Sequence, residues 1–376
     1  MSKTAPASYL PSATHWDVRP PAALGLRADA LQAAVDWHRA HESTWPRTFV
    51  TAGGRYIGVA DEPEDSEVLG PVRARQDLNG LVVRRGYIAA EWGDTWRADM
   101  SFSIAKSYLA VLAGVAVERG LIRDLDEPVA ATAIDTDFVS SHNAAITWRH
   151  LLTQTSEWQG TLWGKSDSID HHRDVGKSEL GYALKGQERV LHKPGTFWEY
   201  NDVRVNRLSL SLLQRFRRAL PEVLRDSIMD PIGASTDWQW HAYRTSWINL
   251  EGRRLASVPG GSHWGGGLWM SSRDHARFGL LIHRHGQWGE RRVLDAGWIA
   301  EMLRPCELNP NYGLMWWLNT NRAQAPSAPG SCYAARGAGS NVIWIDPEND
   351  LVVVARWIDK SSFSGFISLV LESVMS

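Results

Sequence analysis

MSFSIAKSYLAVLAGVAV, residues 100–117, holds a single charged side chain, Lys106. A run apolar almost all round reads as a helix buried on most faces rather than one lying on a surface. It ends ahead of Gly120, a natural residue just past a helix C-terminus. A buried ammonium is costly unless paired, and desolvation pulls its pKa toward neutrality. Three residues earlier, Ser103 falls on the same helical face, one turn nearer the N-terminus. A hydroxyl beside a lysine poised to lose its proton is the arrangement by which a Ser-Lys hydrolase makes its nucleophile.

Ser103-Ile104-Ala105-Lys106 is the only S-x-x-K box in the chain, and only seven of its 40 basic residues are lysine. The bland reading is a helix with a capping serine and a snorkelling lysine. The context favours chemistry, because Ser103 opens the apolar helix. There its backbone N–H points outward and the helix dipole favours developing negative charge, which supplies half of an oxyanion hole.

Outward from this helix, LNGLVVRRGYIAAEWGD (78–94) reads as a hairpin turning at Arg84-Arg85-Gly86, and LRADALQAAVDWHRAHE (26–42) has helical periodicity. Residues 61–77 are acidic and turn-rich and read as a loop. From about 120 to 250 the signals are helical with long loops, clearest in ITWRHLLTQTS (146–156) and VNRLSLSLLQRF (205–216). Residues 164–190 are polar and irregular. After Gly260 come a glycine-rich stretch, the helical SSRDHARFGLLIHRHG, and strand-like runs NYGLMWWLNT, SNVIWID and DLVVVARWI before an apolar C-terminal helix. Strands at both ends with helices between predict an α+β fold. One antiparallel sheet is built from both chain ends with flanking helices (26–119 and 255–376), and an all-helical region (120–254) is inserted.

At 376 residues with 44% hydrophobic content, the chain is long enough for a large core, and we expect one catalytic domain. A formal net charge of −2 gives no electrostatic reason to expect nucleic acid or anionic membrane. Cys306 and Cys332 could form at most one bridge. The N-terminal stretch has no apolar h-region, so a cytoplasmic protein is expected. His171-His172 with Asp167, Asp170 and Asp174 match no tetrahedral metal spacing and read as a polar loop. No G-x-S-x-G elbow occurs, and GGSHWGGG (260–267) lacks the lysine of a phosphate loop. No cofactor or metal is expected.

A second chemical signal is KPGTFWEYNDVRVNRLSLSLL (193–213), where Tyr200 precedes a helix. A phenol near a neutral lysine can relay protons between nucleophile and leaving group, although a tyrosine in that position is by itself usually core packing. With both boxes in view, the chain resembles the serine hydrolases of the penicillin-recognising fold: class C β-lactamases, family VIII esterases and 6-aminohexanoate-dimer hydrolase. The matching segments run in family order: SFSIAKS (101–107), ITWRHLLTQTS (146–156), PGTFWEYND (194–202), GGGLWMSSRDHARFG (265–279) and RGAGSNVIWIDPENDLVVVARW (336–357). The resemblance implies a β-lactamase/transpeptidase-like fold, with Ser103 the acylated nucleophile, Lys106 its general base and Tyr200 the proton relay. It implies an oxyanion-hole N–H at Ala338, beside Gly339, and brings His263 and Trp264 close to the site.

Two departures matter. The family's Tyr-x-Asn box is Tyr200-Asn201-Asp202, with an acid where a substrate-binding amide usually sits. The Lys/His-Thr/Ser-Gly box, which holds the carboxylate of β-lactams, is replaced by Arg336-Gly337-Ala338-Gly339, and Arg336 reads more readily as a solvated strand-end side chain than as an anion ligand. The expected function is therefore hydrolysis of a small carboxylic ester or amide through an acyl-enzyme on Ser103. A β-lactamase or D-amino-acid peptidase is the alternative enzyme, and a non-catalytic ligand-binding member of the fold is the alternative of another class. The expected partner is the small-molecule substrate alone, and the oligomeric state is left open.

Overall fold

The structure is a computed structural model and describes residues 9–48, 69–71, 73–173, 175, 184–261 and 267–375. Its central element is a six-stranded antiparallel sheet of β1 (Asn79–Arg84), β2 (Tyr87–Trp92), β3 (Trp317–Leu318), β4 (Tyr333–Gly337), β5 (Asn341–Asp346) and β6 (Leu351–Arg356), in the order β3-β4-β5-β6-β1-β2. β1 from early in the chain pairs along its whole length with β6 from near its end, Asn79 opposite Arg356 and Arg84 opposite Leu351. The β1–β2 hairpin turns where expected. Arg85 and Gly86 both take positive φ, as a two-residue turn matched to strand twist requires.

The strand residues alternate between two cores. Leu81, Val83, Ile343, Ile345, Val352 and Val354 face one side, packed with α2 (Ala105–Glu118), α3 (Asp202–Phe216) and α4 (Ser272–His283). Val82, Val342, Trp344, Val353 and Ala355 face the other, covered by α1 (Ala28–Ala40) and α5 (Phe363–Glu372). A sheet buried on both faces explains why β6 reads LVVVAR, continuous rather than alternating. The α+β expectation holds, as does the assembly of one sheet from both ends.

Three details differ from the sequence reading. The inserted region is not all-helical. It holds a hairpin, Trp247–Leu250 with Arg253–Ala256, and Gln239–His241 pairs with Gly267–Met270 of the later segment. Glu251-Gly252, both at positive φ, supply a hairpin turn that a search for helical periodicity passes over. The run NYGLMWWLNT joins the six-stranded sheet only through Trp317–Leu318, because Met315 adopts φ +60° and folds the chain back so that Tyr312 bridges Trp317. The helix expected within 146–156 is confined to Trp148–Leu152, closed at its start by a capping box between Thr147 and His150. Both cysteines are free, and among the described residues no helix is long and apolar enough to cross a membrane.

Candidate active site

Asp99–Met100 forms a short strand against Gly267–Met270, and the chain then enters α2 through a single 3₁₀ turn, Phe102–Ile104. Phe102 takes φ +49°, an unusual conformation for a bulky residue, so Ser103 sits at the outer corner of a sharp strand-to-helix bend. Ser101 anchors the bend: its N–H donates to Leu268 O at 2.8 Å, and its Oγ lies 2.8 Å from Nε2 of the buried His275. Ser103 itself is half-buried, whereas every residue from Ala105 to Ala116 is buried. The hydroxyl thus stands at the surface end of a helix whose body is core.

One turn on, Lys106 is 1% exposed. Its Nζ lies 2.8 Å from Ser103 Oγ, 3.1 Å from Gly260 O and 2.6 Å from Asp202 Oδ1. Of these three neighbours only Ser103 carries a proton to give. A neutral amine in this position donates to the Gly260 carbonyl and to Asp202, and its lone pair is left for the Ser103 hydroxyl. Burial lowers the Lys106 pKa from its ordinary value; the charge of Asp202 pulls the other way, and that of Arg173 adds to the lowering.

Tyr200 is buried against the same group. Its ring lies 4.7 Å from Lys106 Nζ, and its hydroxyl shares a hydrogen bond with Ser103. Burial and the nearby Asp202 carboxylate push the phenol pKa well up, so the hydroxyl keeps its proton. Trp317 stacks on Tyr200 with centroids 5.7 Å apart, and Tyr312 and Trp198 complete an aromatic wall. The position of Tyr200 follows from the start of α3. Asn201 is the N-cap, its side chain accepting from the Arg204 N–H and donating to Asp167 O. Asp202, first residue of the helix, is thereby turned toward Lys106.

Asp202 corrects the reading of the departed box. It is not free for substrate: Oδ1 is held by Lys106, and Oδ2 lies 2.8 Å from Nη1 of Arg173. A buried carboxylate needs a compensating cation, and the Arg173 guanidinium supplies it while the Lys106 amine donates a hydrogen bond. Arg173, within the stretch read only as a polar loop, is a site residue that the sequence reading missed. The signal was present, since an acid in place of an amide beside a buried lysine calls for a compensating base.

On the opposite side, β4 runs up to the Ser101–Ser103 segment. A Cβ on Gly337 would lie 2.3 Å from Ser101 O, so the absence of a side chain permits the approach. β3 covers β4 only at Tyr333 and Ala334, and Arg336 and Gly337 lie beyond that pairing. Ala338 packs with Phe102 in a small cluster, and its carbonyl accepts from Asn341 Nδ2 at 2.6 Å. Asn341 Oδ1 in turn accepts from Nε of the buried Arg356, whose other nitrogens donate to Met100 O and Met270 O. Gly339 adopts φ +72°, with Trp357 where a Cβ would go. Arg336 is not the solvated strand end expected. It is half-buried on the other face of the sheet, donates to Gln324 Oε1 and lies 4.9 Å over the Phe363 ring, and burial lowers its pKa to about 10. His263 and Trp264 fall outside the described residues.

The histidine–aspartate group of the loop is used structurally. His171 pairs with Asp167, which also receives Arg204, while Asp170 binds Arg173 and Lys185. Among the described residues no group of three or more His, Cys, Asp or Glu is arranged to hold a metal ion.

A two-faced antiparallel sheet, a helix entered through Ser-x-x-Lys and a tyrosine at the start of a second helix define the penicillin-recognising class of proteins. The sequence profile of the Beta-lactamase family matches residues 78–357, and the chain belongs to that family of hydrolases. Solved structures share the fold at low identity. A penicillin-binding protein homologue from Caulobacter crescentus is 13% identical, with a TM-score of 0.60 over 93% of this chain and 99% of its own. EstCE1, a hydrolase with promiscuous acyltransferase activity, is 16% identical, with 0.56 over 95% and 99%. A Bacillus anthracis protein, named as a proposed 6-aminohexanoate-dimer hydrolase, is 14% identical, with 0.55 over 98% and 100%. At these identities the likeness concerns the fold alone. A search of curated proteins returned no match.

Proposed function

We propose that the protein is a serine hydrolase cleaving a small carboxylic ester or amide through an acyl-enzyme on Ser103. The observation that carries the reading is the buried Lys106 amine, 2.8 Å from Ser103 Oγ with no other proton donor among its polar contacts to the described residues. Lys106 takes the Ser103 proton as Oγ bonds to the substrate carbonyl carbon. The Ser103 and Ala338 N–H groups hold the resulting oxyanion. As the carbon–leaving-group bond breaks, Tyr200 delivers a proton to the departing oxygen or nitrogen and recovers one from the Lys106 ammonium. Water then attacks the acyl carbon, gives its proton to the same amine, and frees the acid and the Ser103 hydroxyl.

The one cation of the 336–339 box, Arg336, turns away to Gln324 and the Phe363 ring, and no Lys/His-Thr/Ser-Gly side chains stand in its place, which favours esters or amides over β-lactams. The fold similarity to EstCE1, a hydrolase by name, is compatible with this. The test is labelling of the folded protein with a fluorophosphonate, with the modified residue mapped by mass spectrometry, alongside turnover of p-nitrophenyl esters, anilides and nitrocefin. Ser103 should be the labelled residue, and Ser103→Ala should abolish labelling and ester turnover. Failure of Ser103 to react in the folded protein favours a non-catalytic ligand-binding role, and prompt nitrocefin turnover favours a β-lactamase.

A further inference from the structure

Asp202 poses a problem that its Lys106 contact alone does not solve. A carboxylate 2.6 Å from an amine in a water-poor site stabilises the ammonium, and a protonated lysine cannot accept the Ser103 proton. The carboxylate is, however, shared. Arg173 lies on its far side, with Nη1 2.8 Å from Oδ2, and the guanidinium also packs over the Tyr200 ring at 5.1 Å. Guanidinium remains charged at all working pH values, so it is a permanent claimant on Asp202, whereas the lysine is a conditional one. Arg173 is fixed in turn by Asp170, whose Oδ2 lies 3.2 Å from Nη1 and accepts the Asp202 N–H at 2.8 Å. Lys185 stands on the other Asp170 oxygen at 3.2 Å. The described groups facing Lys106 are thus Ser103 on its own turn, Tyr200 and Asp202 at the start of α3, the Gly260 carbonyl, and the Arg173–Asp170–Lys185 chain behind them.

We propose that Arg173 is a positioning residue for the Lys106 base: by holding the outer oxygen of Asp202 it stops that carboxylate from fixing a proton on the lysine. The inference rests on the Ser-Lys reading given above and extends it to a residue outside the nucleophile and tyrosine boxes. Burial and the Arg173 charge both act on Lys106 in the same direction, which agrees with this role. Asp202, balanced by Arg173, still accepts a hydrogen bond from the neutral amine and so aims its lone pair at Ser103.

The experiment follows the rate of fluorophosphonate labelling of Ser103 against pH in the full chain, a readout that needs no knowledge of the natural substrate. In the parent protein the rate rises through the Lys106 ionisation. In Arg173→Gln the midpoint should move up by about one pH unit or more, the size expected for loss of a neighbouring charge, with labelling near neutral pH down about tenfold and recovered at alkaline pH. Arg173→Lys, which keeps the cation on a shorter reach, should shift it less. Asp202→Asn should move the midpoint down, and Arg173→Gln in that background should move it up by less than in the parent, since the direct charge is still lost but the carboxylate to be restrained is gone. An unchanged midpoint in Arg173→Gln, or a loss of rate equal at every pH, overturns the proposal. If Arg173→Gln does not fold, Arg173→Met, which also removes the cation, decides: a midpoint equal to that of the parent overturns the proposal, and an upward shift sustains it. If the parent protein is not labelled at Ser103 at any pH, the Ser-Lys reading itself has failed. Labelling of Ser103 with a midpoint indifferent to Arg173 refutes only the present inference.

Discussion

Replacing Gly337 by alanine adds one methyl group where β4 meets the Ser101–Ser103 segment. Gly337 has φ −130° and ψ 160°, an extended conformation open to any residue, so the substitution carries no backbone penalty of its own. The obstacle is contact: the new Cβ would sit 2.3 Å from Ser101 O, with Phe102 Cβ 3.3 Å away. An ordinary contact needs about 3.4 Å, so strand and segment must part by about 1 Å. Both sides are backbone, and Ser101 is held by its own hydrogen bonds, so no flexible side chain can absorb the shift. The displacement falls between the Ser103 and Ala338 amides. A misplacement of about 1 Å in a catalytic arrangement costs roughly 100-fold in rate, whereas overpacking costs about 1–3 kcal/mol of stability. We therefore expect Gly337→Ala to lower kcat/KM on a p-nitrophenyl ester by roughly two orders of magnitude in a protein that still unfolds cooperatively. Gly279→Ala is the control. Its Cβ would press on Val352 and Ile343 at 2.8 and 2.9 Å, inside the core between α4 and the sheet, and it should cost stability but leave turnover near parental. A Gly337→Ala enzyme within threefold of the parent would refute the reasoning that this close approach sets the oxyanion geometry.

His38 is fully buried, accepting from Trp92 Nε1 and donating to Arg356 O, and burial lowers its pKa to about 4. The unfolded chain therefore binds the extra proton first, and stability falls as pH drops from about 6.5 toward 4. His38→Gln, which offers one acceptor and one donor without titrating, should lose about 3 kcal/mol less between pH 7 and pH 4 in urea unfolding. Equal pH dependence of the two proteins would contradict the assignment. Asn341→Ala strips the Ala338 carbonyl of its donor and Arg356 Nε of its acceptor; we expect a loss of about 1–3 kcal/mol in denaturant melts together with a clear fall in kcat. Trp317→Ala removes the ring stacked on Tyr200 and should cut ester kcat about three- to tenfold, with Trp317→Phe retaining most of the rate.

Much of this architecture could be read from residues alone, for reasons that remain visible in the structure. The α2 segment is apolar almost all round because it is buried almost all round, and β1, β2, β5 and β6 announced themselves through apolar-rich runs bounded by Arg-Gly and Pro-Glu-Asn-Asp turns. The three-residue spacing of Ser103 and Lys106 translated directly into a 2.8 Å contact. What escaped were features decided by distant partners. The fate of Asp202 depended on Arg173, 29 positions away in a stretch with no periodicity, and Arg336 was drawn inward by Gln324 and Phe363. The brevity of β3 reflects a backbone turn at Met315 that no propensity marks. Local pattern carries the elements; buried charge pairing, which is long-range, carries the details of the site.

The pairing of β1 with β6 has a bearing on how the chain acquires its shape. Asn79–Arg84 emerges early in synthesis, yet its main-chain groups on that side wait for Leu351–Arg356, and one face of the sheet waits further for α5. Contacts so distant in sequence close slowly, and an apolar strand left without its neighbour meanwhile is exposed to the wrong ones. A polypeptide interrupted between residues 346 and 351 has β5 but lacks the strand that joins it to the β1–β2 hairpin, so its sheet stays in two pieces.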